Sequence, residues 1–399
     1  MSRRVLTPVR AHGAFLLTLI FMRIAFFTEV FLPKIDGVVT RLTKTLEQLR
    51  VLGHECIVVA PQPCPTTFAG FPVVGVPATG LTVYPELKYG WLTPHAVSTV
   101  IDFNPDIIHV VNPVWLAAGG ICVARTQRIP LVASFHTNVP DYMNDLGLGV
   151  ISGPVQRIIR FFHNRAKINL VTSTPMLERA TSVGIKNVHL WPKAVDTHLY
   201  HPGRATQEMR QKLSSGHPDD PLMLFVGRLS KEKNLAFLHS VMSDLRTRLP
   251  KARLAFVGGG PDEEELKQLF SSDWCTFMGY MQGEELAAAF ASADVFLFPS
   301  KTETLGLVAL EAMASGIPVV GARAGGIPFT VVDGHTGFLA PPDDVQEWVR
   351  LIIAAYENSA FPEQARAEAE KYSWLEATRT LTDFYRQALN SGEGKSHGA

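Results

Sequence analysis

Two carboxylates, Glu303 and Glu311, stand with seven residues between them in segment 298–311, FPSKTETLGLVALE. The segment reads as the end of a buried strand, a short loop, and a helix expected to begin near Leu305. A helix start presents backbone N–H groups and partial positive charge, which suit a diphosphate. Gly306, between Leu305 and Leu307, lets that backbone come close to a ligand. Carboxylates on either side can accept hydrogen bonds from hydroxyl groups. From spacing alone, an equal reading has Glu303 capping the helix and Glu311 on the surface.

Four other segments carry polar chemistry at the end of a strand pattern. In 227–234, GRLSKEKN, Arg228 can fork onto phosphate oxygens and Lys233 adds a compact charge. By itself this is as well read as a solvated loop. In 258–265, GGGPDEEE, Gly259 and Gly260 make a turn. The third glycine of a dinucleotide fingerprint would fall at Glu263, so that motif is excluded. The acidic run also suits a helix start. Gly37, in 28–40, sits just before a helix and offers a second anion cradle, or an ordinary turn. His136 follows a buried strand in 134–140, SFHTNVP, although a lone histidine is more commonly structural.

The elements that must position these residues alternate. Apolar runs at 57–59, 107–111, 131–133, 169–172, 222–226, 254–257, 294–298 and 317–320 read as strands, with helix-like stretches between them, such as 41–52 and 235–249. That order predicts an α/β fold with parallel sheets buried on both faces. A stretch rich in proline, glycine and serine, 200–221, reads as a linker between two halves of similar length. The expected architecture is two Rossmann-like domains facing across a cleft.

The chain has 399 residues, 46% of them hydrophobic, which suits two domains. Lysine plus arginine equals aspartate plus glutamate, 37 each, so nothing suggests a duplex nucleic-acid binder. Cys56, Cys64, Cys122 and Cys275 have neither zinc-ligand spacing nor a disulfide pattern, which suits a reducing compartment. Asp219–Asp220 and Asp343–Asp344 read as surface loop residues, not as cation ligands. Residues 1–21 combine arginines with a short apolar run. They read as an extension or as a mis-called start, with Met22 opening the first strand.

Taken together, the five motifs occur in the order found in GT4 retaining glycosyltransferases of the GT-B type, which move a sugar from a nucleotide diphosphate to an acceptor. The resemblance covers about residues 22–389. It implies that Arg228 and Lys233 hold the donor diphosphate and that Glu303 binds the transferred sugar. Glu311 would bind the ribose, and Gly259 and Gly260 would approach the nucleotide. The backbone of Leu305, Gly306, Leu307 and Gly37 would contact phosphate and sugar, and His136 would touch the sugar near the reacting carbon. No metal or other cofactor is implied.

The resemblance also implies an acceptor-binding domain over 22–202, a donor-binding domain over 203–372, and a helix over 373–391 crossing back to the first. A disordered tail would follow over 392–399. Segments 139–142, 190–197, 282–286, 302–308 and 322–328 most resemble the sulfoquinovosyltransferases. Those enzymes transfer sulfoquinovose from UDP-sulfoquinovose to diacylglycerol; the shared motifs also fit a GT4 mannosyl- or glucosyltransferase using GDP-mannose or UDP-glucose, or a non-catalytic nucleotide- or lipid-binding relative. Ala194 departs from the glycine usual there. A sulfonate needs a cation, for which Lys34, Arg41 and Lys193 are the candidates. A lipid acceptor implies a cytoplasmic protein peripheral to the membrane, with 154–165 or 81–91 as contact segments.

Overall fold

The computed structural model describes residues 21–34, 36–81, 84–113, 115–136 and 152–391. The extension before Phe21, the VPDY segment 139–142 and the tail 392–399 lie outside the described residues.

The strands are β1 (Arg23–Thr28), β2 (Glu55–Pro61), β3 (Thr67–Phe68), β4 (Phe71–Val76), β5 (Ala78–Leu81), β6 (Tyr84–Gly90), β7 (Ile107–Val111), β8 (Leu131–Phe135), β9 (Ile168–Val171) and β10 (Val188–Leu190) in the first half. The second half has β11 (Leu222–Val226), β12 (Arg253–Val257), β13 (Cys275–Phe277), β14 (Val295–Phe298), β15 (Val319–Ala322) and β16 (Gly337–Ala340). Among the described residues they form an eight-stranded sheet, β10-β9-β8-β7-β1-β2-β4-β3, and a six-stranded sheet, β13-β12-β11-β14-β15-β16. A separate ribbon pairs β5 with β6. All pairs in the large sheets are parallel except β3–β4.

Successive strand residues point to opposite faces, and here both faces are buried. On β1, Ile24 and Phe26 join one core while Ala25 and Phe27 join the other. This is why these strands read as unbroken apolar runs. Apart from the β3–β4 hairpin, each sheet reverses its strand order once, between β1 and β7 in the first and between β11 and β14 in the second. In open α/β sheets, ligands bind at the carboxyl ends of the strands beside such a reversal. The GRLSKEKN loop follows β11 and the PSKTETLG loop follows β14, so the second reversal carries both.

Three expectations need correction. The helix after β14 is Leu307–Ala314, with Gly306 as its cap at φ 75°, so it starts two residues later than the pattern implied. The cap requires the left-handed conformation that glycine adopts freely. Gly37 is the first residue of helix Gly37–Val51, not the residue before it. Asp36 is the cap, and its carboxylate accepts from the N–H groups of Val38 and Val39. The stretch 200–221 is not a bare linker. Thr206 caps a helix, Gln207–Leu213, whose Met209 and Leu213 are buried in the second core.

The two halves are joined by two crossings that lie side by side. After β10, Val195 pairs with Ser373, and the Val195 N–H donates to the Tyr372 carbonyl at 3.1 Å. Helix Trp374–Asn390 then places Leu381, Tyr385 and Ala388 in the core of the first sheet.

Candidate functional site

The loop after β11 turns through a short 3-10 segment, Lys231–Lys233, and is pinned to the loop after β14. The Asn234 side-chain amide donates to the Pro299 carbonyl at 3.5 Å, and Ser300 Oγ donates to the Glu232 carbonyl at 3.3 Å. This juxtaposition carries Lys233 to Glu303: Nζ lies 2.6 Å from Oε2. Burial would raise the Glu303 carboxyl. The Lys233 charge and hydrogen bond, with the Thr304 and Gly306 N–H groups, outweigh it and hold the carboxyl below its ordinary value. Glu303 therefore accepts backbone N–H groups just ahead of its helix and also pairs with Lys233. Arg228 is half-buried on the same loop, where its charge bears on Asp262.

Glu311 is not a surface residue. It is half-buried in the helix and takes a hydrogen bond from the Tyr200 hydroxyl. Burial lifts its carboxyl to about 7; the Tyr200 hydrogen bond opposes this, Asp196 adds to it and Lys44 opposes it. Lys44 in turn lies 3.5 Å from Asp196, so a polar chain runs from the first helix through the crossing to Glu311.

The backbone around the LGL centre is packed by its neighbours. Thr330 Oγ1 donates to the Leu305 carbonyl at 2.7 Å. The Gly326 N–H donates to the Glu303 carbonyl at 2.6 Å, and a Cβ on Gly326 would fall 2.1 Å from the Thr304 oxygen. In the GGGP turn, the close approach is likewise to protein. A Cβ on Gly260 would fall 2.3 Å from the Leu229 oxygen, and the Tyr280 hydroxyl donates to the Gly259 carbonyl at 3.0 Å. The two strand-end loops thus explain these glycines without a ligand.

The two sheet edges meet at Gly37 and Leu307. A Cβ on Gly37 would lie 3.9 Å from Leu307 Cδ1, with nothing nearer among the described residues. Two helix starts therefore face each other across a narrow gap. Leu307 also packs against the buried cluster of Ala194, Trp374 and Ala377, which gives the Ala194 methyl a packing role.

His136 ends β8 and is buried. Its Nε2 is 2.8 Å from Ser134 Oγ, its N–H donates to Asn112 Oδ1 at 2.7 Å, and its ring meets Trp191 edge-on at 5.6 Å. Burial, with Arg41 and His109, pushes its pKa well below the ordinary value, so the ring is neutral.

All three sulfonate candidates have partners in the protein, Arg41 through its Nη2, which donates to the Pro192 carbonyl at 2.6 Å. Lys34 pairs with Asp36 at 3.1 Å. Lys193 donates to the Phe329 carbonyl at 2.8 Å beside the Phe329 and Tyr372 rings, which ties the crossing to the second half. Nor is Asp220 a surface residue, because it is buried and accepts from Arg253 Nε at 2.8 Å. Asp344 caps helix Val345–Glu357. What sequence reasoning missed is Tyr200: no local pattern links it to a glutamate more than a hundred residues away.

A family model described as "Glycosyltransferase Family 4" matches residues 35–199, and one described as "Glycosyl transferases group 1" matches 206–372. The chain is 40% identical to the sulfoquinovosyl transferase SQD2 of Arabidopsis thaliana, over 90% of this chain and 72% of that protein. It is 32% identical to a GDP-mannose-dependent alpha-mannosyltransferase of Mycobacterium tuberculosis, over 91% and 96%. Among solved structures, Anabaena HepE in complex with UDP superposes with a TM-score of 0.73 at 20% identity, over 92% of this chain and 100% of that one. With two parallel sheets facing at their switch points and both halves matched, the chain belongs to the GT4 family of glycosyltransferases and has the GT-B fold.

Proposed function

We propose that the protein transfers sulfoquinovose from UDP-sulfoquinovose to diacylglycerol, with retention at the anomeric carbon and without a metal. The observation that carries this reading is the 40% identity, across 90% of the chain, to a sulfoquinovosyl transferase. In the reaction, the bond from the anomeric carbon to the diphosphate oxygen breaks. The acceptor oxygen bonds to that carbon from the same face, and its proton passes to the departing diphosphate. Arg228 and Lys233 stabilise the charge that develops there, which is the largest contribution available to such a site. Glu303, oriented by Lys233, accepts sugar hydroxyls, and Glu311 accepts those of the ribose. His136, being neutral, contributes polarity rather than charge beside the sugar.

A peripheral position at the cytoplasmic membrane face is supported by helix Ser152–His163. It has no acidic residue, and Arg157, Ile158, Arg160 and Phe161 are exposed while Ile159 and His163 are buried. Cationic and apolar groups together on an outward face suit an anionic lipid surface. Among the described residues no helix is long and apolar enough to cross a membrane.

The test presents purified protein and diacylglycerol vesicles with UDP-sulfoquinovose, UDP-glucose or GDP-mannose, and reads the lipid product by mass spectrometry. Sulfoquinovosyl diacylglycerol from the first donor alone is the expected result. A mannosyl product would instead favour the second reading, that of a GDP-mannose-dependent transferase, which the 96% coverage of the mycobacterial relative supports.

Glu311 gives a pH prediction. Its folded-state pKa of about 7 lies above the ordinary 4.5, so folding disfavours the ionised form. The stability it contributes is full below 4.5 and is lost as pH rises through about 7. Donor binding has the opposite sense, because a carboxylate accepts two hydroxyls and a carboxyl fewer. The KM for the donor should fall as pH rises through about 7. In Glu311→Gln that slope should be absent, and an unchanged slope would remove Glu311 from the ribose.

A further inference from the structure

A guanidinium buried without a carboxylate is expensive, and proteins seldom keep one idle. Arg41 is such a group. It is 1% exposed, and among the described residues no carboxylate pairs with it. Its Nη2 donates to the carbonyls of Pro192 at 2.6 Å and Trp191 at 3.3 Å, and its Cζ lies 4.1 Å over the Trp191 ring. Among the described residues its Nε and Nη1 have no hydrogen-bond partner. Burial alone brings its pKa down to about 9, so it still carries its charge at neutral pH.

Its position adds to this. Arg41 follows Gly37 by four residues on one helix, so both lie on the same side of it. Gly37 faces Leu307 across the cleft. The Trp191 ring also meets the rings of His136 and His109, and the Arg41 charge opposes the ionisation of His136. Arg41 therefore shares a helix side with the helix start at the cleft and shares the Trp191 ring with the histidine at the strand end. Of the three candidate cations, Lys34 pairs with Asp36 and Lys193 donates to the Phe329 carbonyl, while Arg41 keeps two donors unspent among the described residues.

We propose that Arg41 is the specificity-determining residue that binds the sulfonate of the transferred sugar; this rests on the sulfoquinovosyl reading above. A sulfonate is a permanent anion with three acceptor oxygens, and a guanidinium matches it by charge-assisted hydrogen bonds. Because Arg41 is 1% exposed, the anion meets it only as neighbouring groups shift, so binding and a change around Trp191 go together.

The test is calorimetric affinity for UDP-sulfoquinovose and for UDP-glucose in the natural protein and in Arg41→Met. The preference for the sulfonated donor should fall by roughly 10–100-fold, the range for charge-assisted hydrogen bonds. Equal losses for both donors would overturn the proposal and make Arg41 a clamp for the Trp191–Pro192 carbonyls. Should the Met variant not fold, the natural protein still decides. Its Arg41 Nε–H resonance, identified by its disappearance in Arg41→Lys, should shift with UDP-sulfoquinovose and not with UDP-glucose. An unmoved resonance overturns the proposal. The two levels fail differently: a hexosyl lipid and no sulfolipid removes the reading and Arg41's role with it. A sulfolipid product with an unchanged donor preference removes only Arg41.

Discussion

Lys233→Ala should lower kcat/KM by about a thousandfold while the protein stays folded. Removing one group that stabilises developing charge in a pre-organised site typically costs ~100–1,000-fold. Lys233 has a second task, since its Nζ holds Glu303 at 2.6 Å. Without it, burial is opposed only by the Thr304 and Gly306 N–H groups, and the Glu303 carboxyl rises toward its neutral form. One substitution therefore removes a phosphate cation and disturbs a sugar ligand, which places the effect at the upper end of the range. The pair should also be non-additive: Glu303→Gln should cost much less in the Lys233→Ala background than alone. Steady-state kinetics of the four proteins give the answer. Activity within tenfold of the natural protein in Lys233→Ala would remove the lysine from the chemistry.

Gly326→Ala should give a large loss of stability for a single added methyl group. The added Cβ would lie 2.1 Å from the Thr304 oxygen, 2.5 Å from its carbonyl carbon and 2.9 Å from the Leu305 nitrogen. All three are backbone atoms, so no rotamer change relieves the clash. The loop carrying Glu303 must move, and the 2.6 Å bond from the Gly326 N–H to the Glu303 carbonyl must stretch. Overpacking of this kind costs about 3 kcal/mol. In a unit of this size that lowers Tm by roughly 6–12 °C. Turnover should fall further than stability alone explains, because Glu303 leaves Lys233. Gly37→Ala is the matched control: among the described residues its Cβ meets only Leu307 Cδ1, at 3.9 Å, so Tm should be nearly unchanged. Equal melting of both variants would show that the loop yields more easily than its packing suggests.

These residues differ in how visible they were beforehand. Strands buried on both faces are written as apolar runs, so β1, β7, β11 and β14 and the loops after them could be located from sequence. The chemistry-bearing residues of those loops followed, because strand ends at a reversal of order are where such folds bind ligands. The pairing of Lys233 with Glu303 was not visible, since it depends on side chains from β11 and β14 loops meeting in space. Nor was the Tyr200–Glu311 bond, for the same reason. Arg41 is one of three candidate cations in the sequence, and nothing local to it shows that it is buried. Its burial comes from Trp191 and Pro192, 150 residues along the chain. The helix Gln207–Leu213 was hidden because prolines and glycines flank it closely, so turn signals outweighed a short helical pattern. Likewise, Gly260 and Gly326 could be seen as turn glycines, but not that a neighbouring loop's carbonyl occupies the space of their missing side chains.

The return of helix Trp374–Asn390 to the first core has a consequence for the order in which the protein is made. Leu381, Tyr385 and Ala388 pack with Ile24, Phe26 and Val58, and the Tyr385 hydroxyl lies 2.7 Å from Nδ1 of His109, a fully buried ring. The ribosome completes β10 at Leu190 but releases Tyr385 almost two hundred residues later. At synthesis rates of about 5–20 residues per second, that interval is roughly 10–40 s. Throughout it, the first sheet has an open apolar face on the side this helix will cover. The second half, whose core draws on residues from Val195 to Ala369, can close before the first is finished. The half synthesised first is thus the half completed last, and during that interval it is the one that needs protection from other chains.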